Sequence, residues 1–419
     1  MAASTTDSKK IALLVIVAAL GYFVDIYDLI LFSVVRVKSL KDLGVPDADL
    51  LSVGTMLINS QMFGMLIGGI LWGIIGDKKG RLSVLFGSII LYSLGNIANG
   101  FATTVEAYAI IRFIAGVGLA GELGAGITLV TETMSKENRG YGTMIVAGVG
   151  LFGAVAAALV GDAFPWQTSY IIGGCMGLVL LFLRVGLVES GMYKNVKHAD
   201  NVNRGNILML FNNGKRFKKY LSCILIGIPL WFVVGVLVTF SPEFGKAFNA
   251  TEPLKAGMGI MYCYIGIAIG DVVAGFMSQV WKSRKKVMFV FLMLTAISIV
   301  VYLSSDQINT QQFIYLTLFL GFSSGYWATF VTIASEQFGT NLRATVTTTV
   351  PNFVRGSVVA VTLSFQSLQK SFGIINSAYI VGFVSLIIAL IALSQLKETF
   401  AKDLDYAEDN EIVQIEGLS

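Results

Sequence analysis

Several charged side chains stand inside long apolar stretches of the sequence, where a charge is costly, and four of them are predicted to lie deep in their helices. Asp25 and Asp28 lie three residues apart in the first stretch, Arg112 lies in the fourth and Arg355 in the eleventh. A charged side chain at the centre of a bilayer costs at least about 2.5–3.5 kcal/mol, so it is expected to face a cavity and to find a partner. These four residues are therefore the candidates for chemistry.

The composition predicts an integral membrane protein, with the lipid bilayer as its surroundings. Of its 419 residues, 55% are hydrophobic and 13% charged, with a mean hydropathy of +0.74; soluble proteins carry about 25% charged residues. The first apolar stretch has no small-residue cleavage site, so we expect a retained helix. Cys175, Cys223 and Cys263 lie in apolar segments and are expected to pack there. The sequence has no nucleophile–base pair, metal-ligand spacing or phosphate loop. We therefore expect no enzymatic activity and no cofactor or metal site.

Twelve stretches are long enough to span a bilayer, and all are expected to be helices, because a helix satisfies its own backbone polar groups in lipid. The predicted spans are 11–36, 50–75, 82–101, 106–131, 141–162, 168–188, 219–244, 256–281, 287–304, 313–337, 344–369 and 372–396.

The basic residues predict the orientation. With residue 1 inside, the inner loops and tails hold 21 lysines and arginines and the outer loops hold 5. This excess places both termini in the cytoplasm of a multi-pass cell-membrane protein, and the short loops indicate a bacterial inner membrane. The net charge of +4 is thus a topology signal, and no nucleic acid partner is expected. The five outer lysines are Lys38, Lys41, Lys246, Lys255 and Lys370.

The longest polar loop divides the chain into two halves. We predict a six-helix bundle over residues 1–188, a cytoplasmic linker over 189–218, a second six-helix bundle over 219–396 and an acidic, disordered tail over 397–419. Two features recur at an offset of 204 residues and indicate a duplicated unit. They are Glu132…Arg139, repeated as Glu336…Arg343, and Lys78…Arg81, repeated as Lys282…Lys285.

Asp25, Asp28 and Arg112 predict a proton-coupling group. Residues three apart share a helix face, and two carboxylates so close disfavour each other's ionisation. At about 1.5 Å per residue, Asp25 and Arg112 lie at matching depths in a core of about 30 Å, so an ion pair is geometrically open. Protonation would release Arg112 and change which conformation is favoured. The alternative is a static structural ion pair.

Arg355 predicts an anionic substrate. It lies about 16 Å into its helix, near the midplane, where membrane transporters place their ligand. Asp271, in the same half, is expected nearer the cytoplasmic end, so the partner of Arg355 would be a carboxylate-bearing metabolite. A pair with Asp25 or Asp28 across the cavity is the alternative.

Polar and aromatic residues near the depth of Arg355 could line the pocket for a small-molecule substrate. Packing or hydrogen bonding between helices is the alternative for each. Asn59 and Gln61 are about 200° apart on a helix, so they cannot both face the cavity. The candidates are Asn59, Gln61, Tyr27, Trp231, Tyr326, Trp327 and Asn352.

Three motifs carry a resemblance to the major facilitator superfamily. The turn Gly73-x-x-Gly76-Asp77-Lys78-Lys79-Gly80-Arg81 resembles the signature between its second and third helices. Arg112-Phe113-Ile114-Ala115-Gly116-Val117-Gly118, followed by Gly121-Glu122, resembles the fourth-helix signature of its metabolite–proton symporter and sugar-porter branches. Val24-Asp25-Ile26-Tyr27-Asp28 is similar to the first-helix pattern of the metabolite–proton symporters. The second copy of the loop signature has Trp281 in place of its acid.

The resemblance implies two pseudo-symmetric six-helix bundles that transport by alternating access, in an all-α membrane protein functional as a monomer. It favours proton symport of a small polar metabolite; an uncoupled facilitator, an exporter and a non-transporting membrane sensor are the alternatives. It also implies ion pairs that close the cytoplasmic side, and Glu122, near that side, is expected to pair or gate. The implied gate residues are Asp77, Arg81, Glu122, Glu132, Arg139, Glu336 and Arg343.

Overall fold

The chain folds as a bundle of long apolar helices. A computed structural model describes residues 2–79, 81–122, 139–189 and 207–400. Within these ranges, nine helices are long and apolar enough to cross a membrane. One of them, Thr345–Gln395, contains two predicted spans, and Ser83–Asn99 is a shorter apolar helix in the third. The fourth predicted span begins as a helix, and its second part lies outside the described residues. All twelve predicted spans begin in helical structure.

In the described residues of the first half there are six helices. The first is much longer than predicted and begins near the start of the chain, whereas the others begin within four residues of the prediction. The N-cap of the fourth is Thr104, whose side chain accepts a hydrogen bond from the Ala107 N–H. The helices are α1 (Ala2–Asp42), α2 (Leu50–Lys79), α3 (Arg81–Asn99), α4 (Val105–Leu119), α5 (Arg139–Ala163) and α6 (Trp166–Glu189).

The second half of the chain is more broken. After a short 3₁₀ turn over Ile207–Leu210, its helices are α7 (Gly214–Leu225), α8 (Ile228–Phe232), α9 (Ser241–Ala247), α10 (Ala256–Val280), α11 (Arg284–Leu303), α12 (Thr310–Ser324), α13 (Trp327–Glu336), α14 (Thr340–Gly356) and α15 (Val358–Gln395). A π-helical turn over Val233–Val238 joins α8 to α9.

Three predicted spans are interrupted rather than continuous. The span predicted over 219–244 consists of α7, α8, the π turn and α9, and a proline lies in the first turn of both α8 and α9. Proline has no N–H to donate, so it is tolerated at a helix start. The span predicted over 313–337 breaks at Gly325 and Tyr326, between α12 and α13. The span that begins at 344 breaks between α14 and α15, and Gly373, with φ of 74°, separates the last two predicted spans.

The two halves meet along two seams. Helix α2 packs on α14 and α15, and α5 packs on α10. We name the two ends of the bundle by residues of α1 and α2. The Asp42 end is where α1 ends and α2 begins, and the Lys79 end is where α2 ends.

Helices α10 and α12 approach each other through glycines. A Cβ atom on Gly321 would lie 2.7 Å from the carbonyl carbon of Cys263, and one on Gly266 would lie 2.7 Å from the Phe322 nitrogen. Such contacts between backbones leave no room for a side chain, which is how small residues set helix spacing in membranes. Gly275, further along α10, would meet nothing within 4 Å.

A methyl group at these two kinds of glycine should have opposite effects. Gly321→Ala should destabilise the protein by about 1–3 kcal/mol, because the backbone of Cys263 must move. Gly275→Ala is the matched control and should stabilise it by up to about 1 kcal/mol through lower unfolded-state entropy. Thermal unfolding in detergent measures both, and equal midpoints for the two variants would contradict the close approach of α10 and α12.

Candidate functional site

An ion pair between Asp25 and Arg355 joins the two halves in the interior. Arg355 Nη2 donates to Asp25 Oδ2 at 3.3 Å, and the side chains are 1% and 0% exposed. Asp25 lies in α1 and Arg355 in the last turn of α14. From the sequence, either a substrate carboxylate or an aspartate of the first half was considered as the partner of Arg355. In this structure the partner is the aspartate, Asp25.

The pair leaves polar atoms unused. Asp25 Oδ1 and the Nε and Nη1 atoms of Arg355 are buried and have no hydrogen-bond partner among the described residues. A guanidinium presents its N–H groups in a planar fork that matches a carboxylate. Arg355 therefore has two free donors for a further acceptor.

Two tyrosines lie within electrostatic reach of this pair, and a pair of tryptophans adjoins one of them. The rings of Trp231 and Trp327 meet edge to face, with centroids 6.4 Å apart. Tyr22 lies within electrostatic reach of both Arg355 and Asp25 and beside the Trp327 side chain. Tyr264 in α10 is also within electrostatic reach of the pair. Sequence reasoning missed both tyrosines, although Tyr22 is three residues before Asp25 and so shares its helix face.

The break between α12 and α13 opens a helix N-terminus inside the bundle. Asp271 Oδ1 accepts a hydrogen bond from the Ala328 N–H at 2.9 Å and so caps α13, which begins at Trp327. Tyr326, just before α13, is fully buried. Asp271 also lies within electrostatic reach of Tyr22. Discontinuous helices of this kind accompany ligand sites in transporters.

Arg112 lies inside the first half, away from Asp25. Its Nη1 donates to the Tyr170 hydroxyl at 2.7 Å, its Nε to the Leu57 carbonyl at 3.2 Å and its Nη2 to the side chain of Gln61. The guanidinium also stacks over Phe32, 3.9 Å from the ring centroid. Among the described residues no carboxylate pairs with it, so the ion pair considered for Arg112 and Asp25 is not formed in this structure. From the sequence, only the depths of Asp25 and Arg112 were compared. The direction in which each helix points its side chain was not determined.

Asp28 and Tyr27 also face the first half. The Tyr27 hydroxyl donates to the Ser169 carbonyl at 2.9 Å. Asp28 is fully buried against Gly173 of α6, near Asn96, and neither of its carboxylate oxygens has a hydrogen-bond partner in the described part of the chain. The orientation of Tyr27 differs from the prediction that it lines the substrate pocket, because the helical turn from Asp25 to Tyr27 rotates it about 200°.

The polar residues of α2 point in different directions, as the helix geometry predicts. Asn59 accepts a hydrogen bond from the Thr362 hydroxyl at 2.7 Å across the seam, whereas Gln61 binds Arg112 inside the first half. These different partners agree with their separation of about 200° around the helix. Asn352 donates to the Ala120 carbonyl at 2.9 Å, so it also bridges the halves.

Comparison with known proteins decides the family. The profile described as Major Facilitator Superfamily matches residues 13–363. The chain belongs to the Major Facilitator Superfamily. It is a membrane transporter of metabolites and not an enzyme.

Individual superfamily members are similar over almost the whole chain. A candidate niacin/nicotinamide transporter of Bacillus subtilis strain 168 is 25% identical, over 93% of this chain and 96% of its own. The gentisate transporter of Corynebacterium glutamicum is 22% identical, over 90% and 86%. The crystal structure of a D-xylose–proton symporter superposes with a TM-score of 0.70, covering 94% of this chain and 100% of the symporter at 18% identity.

Glu122 is paired in this superfamily member. It forms a buried ion pair with Arg184 of α6, and Arg184 Nη1 lies 3.0 Å from Glu122 Oε2. A side chain at Gly21 of α1 would collide with this pair. Sequence reasoning missed Arg184, because no motif marks it.

The other predicted gate residues are described only in part. The side chains of Asp77, Arg81, Glu132 and Arg139 lie outside the described residues. Glu336 pairs with Arg284 at 3.3 Å and accepts a hydrogen bond from the Thr399 hydroxyl at 2.7 Å. Arg343 donates to the carbonyls of Ser335 and Phe338. Superfamily gate positions in the second half are thus tied to the chain just after α15.

That chain segment, predicted to belong to a disordered tail, is docked over residues 397–400. Glu398 accepts hydrogen bonds from the backbone N–H groups of Arg284 and Lys285, at 2.9 and 3.2 Å, and from the Ser283 hydroxyl. It supplies a carboxylate to the loop whose acid is replaced by Trp281. Partial burial raises the pKa of Glu398, but these hydrogen bonds outweigh it and lower the pKa from 4.5 to about 2.

Glu398 should make stability depend on acid pH. A depressed pKa stabilises the fold above the ordinary value of 4.5, and that contribution is lost as the pH falls from about 4.5 towards 2. The melting temperature of the wild type should therefore fall more between pH 5 and pH 3 than that of Glu398→Gln. Glu106→Gln, at an exposed glutamate of α4, is the control, and equally steep curves for wild type and Glu398→Gln would refute the role.

Proposed function

We propose that this transporter moves an organic carboxylate with a ring, together with protons, by alternating access. The single observation that carries the proposal is the buried Asp25–Arg355 pair, which joins the halves and leaves two guanidinium donors free. A substrate carboxylate would bind these donors, and Asp25 would carry a proton. Because the pair spans both halves, its state would govern their rearrangement.

Charge balance links the anion to the proton. Without substrate, Asp25 and Arg355 compensate each other inside the bundle. An anion that binds Arg355 would leave one negative charge uncompensated unless Asp25 takes up a proton, and a buried charge without a partner costs about 3–5 kcal/mol. Proton and carboxylate would therefore bind together, which is the requirement for symport.

The aromatic side chains suit a ring. Tyr22 and Tyr264 lie within electrostatic reach of the ion pair. Trp327 lies beside Tyr22 and packs edge to face with Trp231, a geometry that aromatic ligands can extend. Niacin and gentisate, which appear in the names of two relatives above, each combine a ring with a carboxylate, and nicotinamide, also in the first name, is a ring with a neutral amide. Both features support a ring carboxylate over a neutral sugar as the substrate.

Asp28 and Arg112 would form a second step of the proton route. Arg112 donates to the Tyr170 hydroxyl, and Tyr170 lies within electrostatic reach of Asp28. Arg112 could then stabilise a charge on Asp28 through Tyr170 rather than by direct contact. This role replaces the direct pair with Asp25 considered from the sequence.

The orientation completes the proposal. With 21 basic residues in the predicted inner segments and 5 in the outer ones, the Lys79 end would face the cytoplasm, together with both termini. Asp77, Arg81, Glu132, Arg139, Glu336 and Arg343 would close that side, and Glu122 would support it through Arg184. The protein would work as a monomer in the cell membrane.

A binding screen tests the carboxylate site. Purified protein is unfolded thermally with nicotinate, gentisate and benzoate, and with the amides nicotinamide and benzamide. A ligand that binds the folded state raises the midpoint. Stabilisation by acids and not by their amides is expected. Arg355→Lys should bind about tenfold more weakly, because it keeps the charge but loses about 1.4 kcal/mol of forked hydrogen bonding. Equal stabilisation by acids and amides would overturn the assignment.

Asp25→Asn should separate exchange from accumulation. In proteoliposomes, the variant should exchange the stabilising acid across the membrane but fail to accumulate it under an imposed proton gradient, because it carries no titratable proton. Asp28→Asn tests the second step in the same assay, and Asp47→Asn in an exposed loop is the control. Undiminished accumulation by Asp25→Asn would contradict proton coupling through this residue.

A further inference from the structure

A second ion pair joins the halves at the Asp42 end. The Arg36 guanidinium binds the carboxylate of Glu243 through two hydrogen bonds of 2.7 Å each. Arg36 lies in α1 and is fully buried, whereas Glu243 lies in α9 and its side chain is 16% exposed. Since Arg36 is eleven residues after Asp25, the two pairs are about 16 Å apart along α1.

The surroundings of Arg36 come from both halves. Its Nη1 also donates to the Leu50 carbonyl at 3.0 Å, its Nη2 to the Thr239 carbonyl at 3.4 Å, and its guanidinium stacks 4.7 Å from the ring centroid of Phe240. Separation of the halves at this end would remove Glu243, Thr239 and Phe240 and leave Arg36 with the Leu50 carbonyl alone. The guanidinium of Arg36 then becomes available to bind an anion.

A cavity of about 760 Å³ lies between the halves at this end, and Glu243 is part of its wall. Its lining includes the start of α2, the ends of α1 and α5, and the loop between α9 and α10. Four of the five lysines predicted for the outer loops line it: Lys38, Lys41, Lys246 and Lys255. The same lining contains the carboxylates Asp47, Asp162, Glu243 and Glu252, and three of the lysines pair with Asp47 or Asp162. The lysines are therefore balanced by acids, and the cation that Glu243 covers is Arg36.

We propose that Arg36 is a docking site for the substrate carboxylate, which Glu243 occupies while the passage is closed. An incoming carboxylate replaces Glu243 on the same guanidinium fork, so Arg36 keeps a counter-charge as the halves separate. Without an anion, separation leaves the cation unpaired, which is unfavourable. The anion therefore promotes opening of its own passage. The inference rests on the proposed function for the identity of the anion, but not on Arg355 for its mechanism.

The test follows opening at Thr239, which is 1% exposed and whose carbonyl contacts Arg36. Thr239→Cys is made in a chain whose three native cysteines are replaced by alanine, and alkylation by N-ethylmaleimide is timed with benzoate or with benzamide. Benzoate should accelerate alkylation several-fold and benzamide should not. Equal rates with the two compounds overturn the proposal.

Three further variants in this background locate the effect. Glu243→Gln removes the competing carboxylate, so basal alkylation should rise and the half-maximal benzoate concentration should fall at least fivefold. Arg36→Gln should abolish the difference between benzoate and benzamide. Lys246→Gln, which removes a cavity cation without touching Arg36, is the control and should keep that difference. An unchanged half-maximal concentration in Glu243→Gln overturns the proposal even if Arg36→Gln does not fold.

The Arg355→Gln variant separates this inference from the proposed function. The benzoate effect at Thr239→Cys should persist there, because docking at Arg36 does not use Arg355. Loss of the effect assigns it to the central site and overturns docking, while leaving the proposed function intact. A persistent effect, with benzoate stabilising wild type and Arg355→Gln equally in thermal unfolding, retains docking and refutes carboxylate binding at Arg355.

Discussion

The arrangement of the bundle depends on charges that the interior cannot fully satisfy. Asp25 and Arg355 meet through one hydrogen bond of 3.3 Å, and three of their polar atoms are buried without a partner. Desolvation of two ions costs several kcal/mol each, and a single contact does not recover it. The pair is therefore a poor way to stabilise a fold. It is a good way to make the interface between two halves sensitive to protons and anions, since either changes its charge.

Helical rise gives a predicted depth for each residue from the sequence. It assigns Arg355 and Asp25 similar distances from the predicted inner ends of their helices, and the two side chains pair. The direction of a side chain was readable only relative to neighbours on the same helix. That is why the divergence of Asn59 and Gln61 was predicted correctly. How α4 is rotated relative to α1 depends on packing between helices, so the partners of Arg112 could not be foreseen.

The sequence also did not predict the long-range ion pairs or the breaks in the helices. Arg36 and Glu243 are 207 residues apart, and an arginine at the end of an apolar stretch is unremarkable in sequence. Arg184 looks equally ordinary until α6 brings it to Glu122. The break at Gly325 carries a weak signal, a single glycine in a chain with 45. Glu398 supports α11 from 114 residues away and fills a place that the local motif lacks.

The cap that Asp271 places on α13 has a consequence for how a ligand lies in the bundle. A free helix N-terminus carries about half a positive charge and attracts anions. Here the carboxylate of Asp271 already accepts the hydrogen bond of the Ala328 N–H. This helix N-terminus is therefore not available to attract another anion. The ionic groups of the central region are then Arg355 and Asp25, and the indole of Trp327 beside Tyr22 adds an apolar surface. A molecule with one charged end and one flat apolar end therefore has a single preferred binding orientation, whereas a uniformly polar molecule has none.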